Sequence, residues 1–196
     1  MPTKFFSMIK VNVSFVAVSV VLLLFSAFSV PAQSGDTSNP SPLKFPTPKG
    51  IANQLFYLQR DPNLNTLIYE LNVKDGVVDR EEPVIGYWIR YGEGGKKQDM
   101  SYVQKKFAYG VHSKELGKDH FELRFVSHKK LALYLQRSEA DKKFHVYVTV
   151  NNKKLLLDRI FVRIEGGSFW LPNVRYVELR GLNPESNTVV TERIKV

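Results

Sequence analysis

From residue 55 onward, apolar and polar side chains alternate over segment after segment, and this spacing constrains the fold more than any other feature of the chain. Successive side chains of an extended strand point to opposite faces, so a period of two marks a strand with one face buried. Leu67, Tyr69, Leu71 and Val73 share one face against Thr66, Glu70 and Asn72. Phe121, Leu123 and Phe125 alternate with Glu122 and Arg124, and Leu131, Leu133 and Leu135 follow. Phe144, Val146, Val148 and Val150 repeat the pattern, as do Ile160, Val162 and Ile164, and then Val190, Ile194 and Val196. Turn residues fall between these runs: Asp61-Pro62-Asn63, Asp75-Gly76, Asn151-Asn152, Gly166-Gly167 and Asn183-Pro184. About eight or nine short strands at this spacing predict a mainly β domain, either an antiparallel β-sandwich or a flattened barrel.

One stretch breaks the period. Residues 99–110 read "DMSYVQKKFAYG" and predict a single helix, about 99–109, packed on the sheet. Asp99 or Ser101 can cap its start, and Gly110 is a natural stop. Wound as a regular α-helix, Met100, Val103 and Phe107 form a stripe for the core, and Gln104 beside it needs a polar partner indoors. The opposite side carries Tyr102, Lys105, Lys106 and Tyr109, a pairing of tyrosine and lysine that suits anionic, partly apolar partners. The bland alternative is that the tyrosines are covered by neighbouring chain while the lysines reach water.

The N-terminus has the layout of an export signal. Lys4 and Lys10 precede an uncharged run from Phe15 to Val30, and Val30-Pro31-Ala32 places small residues where a signal peptidase cuts. The expectation is a cleaved signal over residues 1–32, the alternative a retained anchor. Residues 33–52 are rich in proline and serine and predict a disordered linker, leaving one domain over residues 53–196. No later segment is apolar for long enough to span a bilayer, so the mature protein is expected to be soluble and exported, periplasmic or extracellular. There is no cysteine, which removes disulfides, thiolate metal sites and cysteine nucleophiles together. The formal charge is +9, and the expected signal, with two lysines and no acid, holds two of those charges. This balance fits an anionic envelope component, a lipid headgroup or acidic glycan. Basic residues never run longer than two, so nucleic acid is not the expected partner.

Recognisable reaction chemistry is scarce. "PVIGYWIRYGEGG" is a strand with aromatic side chains on both faces, so it is expected to be central and covered on both sides. Trp88 and Arg90 share one of those faces and could clamp an anion, or Arg90 could simply pair with Glu70 or another acid. The glycines that follow lack the spacing of a phosphate-binding loop. His112, His120, His128 and His145 show no metal-ligand spacing, no nucleophile motif is present, and no carboxylate pair is marked by its surroundings. The sequence therefore names no catalytic residue, no metal ligand and no cofactor.

The runs "LFYLQRDPNLNTLIYELN", "PVIGYWIRY" and "YVQKKFAYGV", in that order, resemble an exported bacterial family known only as domain of unknown function 4833, over roughly Gln54 to Val196. The resemblance implies a signal peptide and one compact β-rich domain, and no catalytic residues. Three functions remain open: a non-enzymatic envelope binding or structural module with a basic surface, a hydrolase acting on an envelope glycan or lipid, and a carrier of a small apolar ligand. The candidate binding residues are Tyr102, Lys105, Lys106, Tyr109, Arg90 and Trp88.

Overall fold

The computed structural model describes residues 44–168 and 171–194; the expected signal over 1–32 and the linker up to residue 43 lie outside them. Strands β1 (Gln54–Arg60) and β2 (Asn63–Leu71) form a hairpin. A small separate ribbon, β3 (Val73–Lys74) and β4 (Val77–Val78), precedes β5 (Val84–Arg90) and β6 (Lys96–Asp99), which extend the sheet from β2. This first arm is ordered β6–β5–β2–β1. A meander of β7 (Val111–Gly117), β8 (His120–Phe125), β9 (His128–Arg137) and β10 (Phe144–Val150) makes the second arm.

Both arms hang on one long strand, β11 (Lys153–Gly167). Its first residues pair antiparallel with β10, and Arg159–Val162 then pair in parallel with Tyr57–Arg60 of β1. Its other edge carries β12 (Pro172–Asn183), which pairs with β13 (Thr188–Ile194). The result is mainly β structure in a single sheet of 11 strands that curls into a half-barrel. The sheet is mixed, not wholly antiparallel, and it neither closes into a barrel nor separates into the two sheets of a sandwich. Alternation reports which face of a strand is buried and is blind to the direction of its neighbour, so the parallel β1–β11 pairing left no mark in the pattern.

Inward residues of both arms merge into one core. Phe56, Leu67, Leu123, Leu133, Leu135, Val146, Leu155 and Leu157 are fully enclosed in it. Phe56 stacks on Tyr69 at 4.6 Å, and Phe125 meets that tyrosine edge-on at 5.5 Å, tying β8 to β1 and β2. The first arm also has a covered outer face, where Tyr57, Ile68 and Tyr87 form a second, smaller cluster. Residues 44–52, part of the expected linker, lie along this side: Phe45 packs edge-on against Phe161 at 5.1 Å, Pro48 is buried, and Gln59 donates to the Pro46 carbonyl at 2.6 Å. Tight turns occur where the sequence placed them. Asp75 and Gly76 turn β3 into β4, and Asn151 and Asn152 turn β10 into β11, all four at positive φ.

Candidate functional site

The concave side of the half-barrel does not fill at one end. A cavity of about 340 Å³ opens there, at the lower end of the roughly 300–1,000 Å³ seen for small-molecule sites. Leu58 and Arg60 of β1 form one wall, Phe125 and Leu131 of the second arm another, and Ile160, Val162 and Ile164 of β11 the floor. Val174 and Val177 of β12 and Ile194 of β13 complete it, and the helical segment, through Val103, Phe107, Ala108 and Tyr109, lies across the mouth. The outer halves of β11 and β12 thus present their apolar faces to this space instead of to a solid core.

That helical segment, expected from about residue 99, starts at Tyr102, two residues after Met100, which packs on the core. Ser101 is its cap and forms a reciprocal capping box with Gln104: the Gln104 amide N–H donates to the serine hydroxyl at 3.3 Å, and the Ser101 N–H to the Gln104 side-chain oxygen at 3.0 Å. The same oxygen accepts the Trp88 indole N–H at 3.3 Å, which is the indoor partner the sequence called for. After one α-turn, α1 (Tyr102–Gln104), the chain widens into a π-turn over Lys105–Tyr109. A π-turn accommodates one residue more than an α-turn, so the faces beyond it are displaced. The expected core stripe fails past its first member: Phe107, within the π-turn, is 59% exposed, and Val103 before it is exposed as well. Tyr109, expected outside with the lysines, turns inward to meet Trp88 edge-on at 5.2 Å, and its backbone carbonyl accepts the Tyr69 hydroxyl at 2.8 Å. Gly110 is required at the exit because a Cβ there would overlap the Lys105 carbonyl oxygen.

Among the described residues, the polar side chains lining this mainly apolar space are Arg60, Tyr109, Ser127 and His128. Arg60 is the only permanently charged side chain among the described residues lining the cavity. Its guanidinium carbon lies 5.9 Å from the Trp88 ring and 5.6 Å from the Tyr109 ring. No carboxylate pairs with it among the described residues, and its buried Nε has no hydrogen-bond partner. Burial pushes the Tyr109 phenol up from its ordinary pKa, and the neighbouring Arg60 charge and contact pull the other way. A planar cation beside an edge-on pair of aromatic rings, lining a mainly apolar cavity, can receive a carboxylate or similar anion in a two-pronged hydrogen bond.

Of the residues singled out in the sequence, Trp88 and Tyr109 come together at this arginine. Tyr102, Lys105 and Lys106 lie exposed on the helical segment; Lys105 pairs with Glu82, and Lys106 donates to the Tyr102 hydroxyl at 3.0 Å. Arg90 is engaged by Glu93, at 2.6 Å, within the β5–β6 hairpin. Its strand, expected to be central, is next to the sheet edge, yet both its faces are covered: Trp88 lies in the main core and Tyr87 in the outer cluster. Arg60 went unremarked, though its signal was present, since it falls in phase with Phe56 and Leu58 on the inward face of β1. A smaller recess between the arms is bounded by Glu81, Glu82 and His112, and Glu82 is bound to Lys105. Among the described residues no group of three or more His, Asp or Glu could hold a metal ion, and no helix is long and apolar enough to cross a membrane.

No curated protein and no solved structure matches this chain. A family model described as Domain of unknown function (DUF4833) matches residues 56–193, a span that takes in both arms, the helical segment, Arg60 and the β11–β13 extension around the cavity. The chain belongs to that family.

Proposed function

We propose that this protein is a non-enzymatic binding module whose cavity takes a small amphipathic molecule, apolar along its length and acidic at one end. The observation that carries the reading is Arg60: a guanidinium whose buried Nε has no hydrogen-bond partner, lining a mainly apolar cavity. Leaving a buried charged donor unpaired costs more than about 1–3 kcal/mol, and an anionic ligand head would relieve that cost. The apolar walls would supply the rest of the affinity by removing a short hydrocarbon from water, at about 0.8 kcal/mol per methylene. The N-terminal signal-like segment and the basic balance of the chain support a place in the cell envelope, where such molecules occur in and around lipid.

The test is displacement of anilinonaphthalene sulfonate fluorescence by decanoate and by decanol at neutral pH. Decanoate is expected to compete well and decanol poorly. Arg60→Met should weaken decanoate by roughly 10- to 100-fold, the equivalent of a charge-assisted hydrogen bond of about 1.5–3 kcal/mol, and leave decanol unchanged. Equal competition by acid and alcohol in the unaltered protein would remove Arg60 as the anchor, and failure of both would remove the cavity as a site.

A further inference from the structure

The rim of the cavity differs from the rest of the surface. Tyr102, Phe107 and Leu171 are 72%, 59% and 81% exposed, and Val103 is exposed between the first two. Val103 and Phe107 also line the cavity, and Leu171 directly precedes Pro172, another lining residue, so exposed apolar side chains border the cavity. Large side chains left in water beside a cavity mouth mark a contact surface rather than a random scatter.

Lysines flank this rim on two sides. Lys105 and Lys106 stand on the helical segment, and the Lys106 ammonium lies 5.3 Å from the Tyr102 ring and 5.4 Å from the Phe107 ring. Across the mouth, His128 and Leu131 line the cavity, and the two residues between them, Lys129 and Lys130, are exposed. Neither Lys129, Lys130 nor Lys106 pairs with a carboxylate among the described residues; Lys105 alone does, with Glu82. Tyrosine beside lysine, with exposed phenylalanine and leucine at the same rim, matches the layered chemistry of a bilayer interface: acyl chains for the apolar tips, headgroup phosphates for the ammonium groups.

We infer that this rim docks on an anionic lipid surface, with Tyr102, Phe107 and Leu171 entering the headgroup layer and Lys105, Lys106, Lys129 and Lys130 holding its phosphates. The inference rests on the cavity reading, because it turns the mouth toward the phase in which an amphipathic ligand dissolves. A ligand could then pass between bilayer and cavity without crossing water.

The absence of cysteine allows a position-resolved test on the full chain. An environment-sensitive dye is attached at Tyr102→Cys on the rim, and separately at Leu116→Cys, an exposed position on β7. With vesicles of phosphatidylglycerol and phosphatidylcholine, the dye at 102 is expected to shift to the blue and the dye at 116 to stay as in buffer. Pure phosphatidylcholine should give little shift at either position. Reversing two charges, Lys106→Glu with Lys130→Glu, should lower partition onto the anionic vesicles at least tenfold, at about 1 kcal/mol for each lysine near such a surface. Decanoate competition in that variant should be unchanged, which shows it folded and separates this inference from the cavity reading. Shifts of equal size at 102 and 116 would mean attachment through another part of the chain and overturn the proposal. So would a shift at 102 that grows with protein concentration in the absence of lipid, the signature of a second copy on the rim.

Discussion

Tyr69 shows how much a single side chain can hold together in this fold. Its ring is 1% exposed, stacked on Phe56 and met edge-on by Phe125, and its hydroxyl donates to the carbonyl that ends the helical segment. Burial holds its phenol well above the ordinary tyrosine range, with the neighbouring Tyr109 adding to the effect. The consequence for pH has a definite sign. An unfolded tyrosine ionises near pH 10, whereas the folded one stays neutral, so its stabilisation is complete below about pH 10 and is lost as pH rises beyond it. Tyr57, Tyr87 and Tyr109 are raised in the same direction, each chiefly by burial. Urea unfolding followed from pH 7 to 11 should therefore show stability falling above pH 10. Tyr69→Phe should cost about 1–3 kcal/mol at pH 7, because the Tyr109 carbonyl loses its donor, and should make the alkaline decline shallower. An equally steep decline in the variant would show that this phenol is not the group titrating. At this scale the sequence was informative about burial and silent about partners: the parity of β2 puts Tyr69 on the inward face, but nothing in it names the carbonyl its hydroxyl seeks.

At the level of elements, the helical segment is where regular periodicity misled. A cap at Asp99 or Ser101, and the need of Gln104 for an indoor partner, follow from local residue chemistry and could be read directly; that Ser101 is the cap and Trp88 the partner could not. The side each residue faces depends on the pitch, and the π-turn alters the pitch in the middle of the segment, moving Phe107 out and Tyr109 in. Gly110 makes that pitch possible by leaving room for the Lys105 carbonyl. Gly110→Ala should force the turn to open, at about 1–3 kcal/mol as for other overpacked sites. It should also pull Tyr109 away from Trp88 and weaken decanoate binding. A lower unfolding midpoint with altered near-ultraviolet circular dichroism would register both effects. Ser101→Ala, which removes a cap and leaves the pitch alone, should cost only about 1 kcal/mol and spare the cavity. The strands were legible for a related reason: their period is fixed by the backbone, so inward and outward residues could be sorted without knowing the neighbours. Direction of pairing has no such local mark, and the parallel contact between β1 and β11 had to be seen.

For the whole molecule, β11 is the joint, since each arm reaches the rest of the sheet through it. Leu157 is fully enclosed at the point where pairing passes from β10 to β1, and Leu157→Ala should cost about 2–5 kcal/mol. Because the arms share one core, amide hydrogen exchange in β2 and in β9 should accelerate by the same factor in that variant. Acceleration confined to one arm would show that the arms open independently. The same strand sets an order on assembly. Because a chain emerges N-terminus first, β1 and β2 appear early and that hairpin can form at once, but the partner for the free edge of β1 is Arg159–Val162, which appears only after the whole second arm. Until then the chain carries an open strand edge able to pair with a neighbour, so its exposure to misassembly lasts until β11 joins.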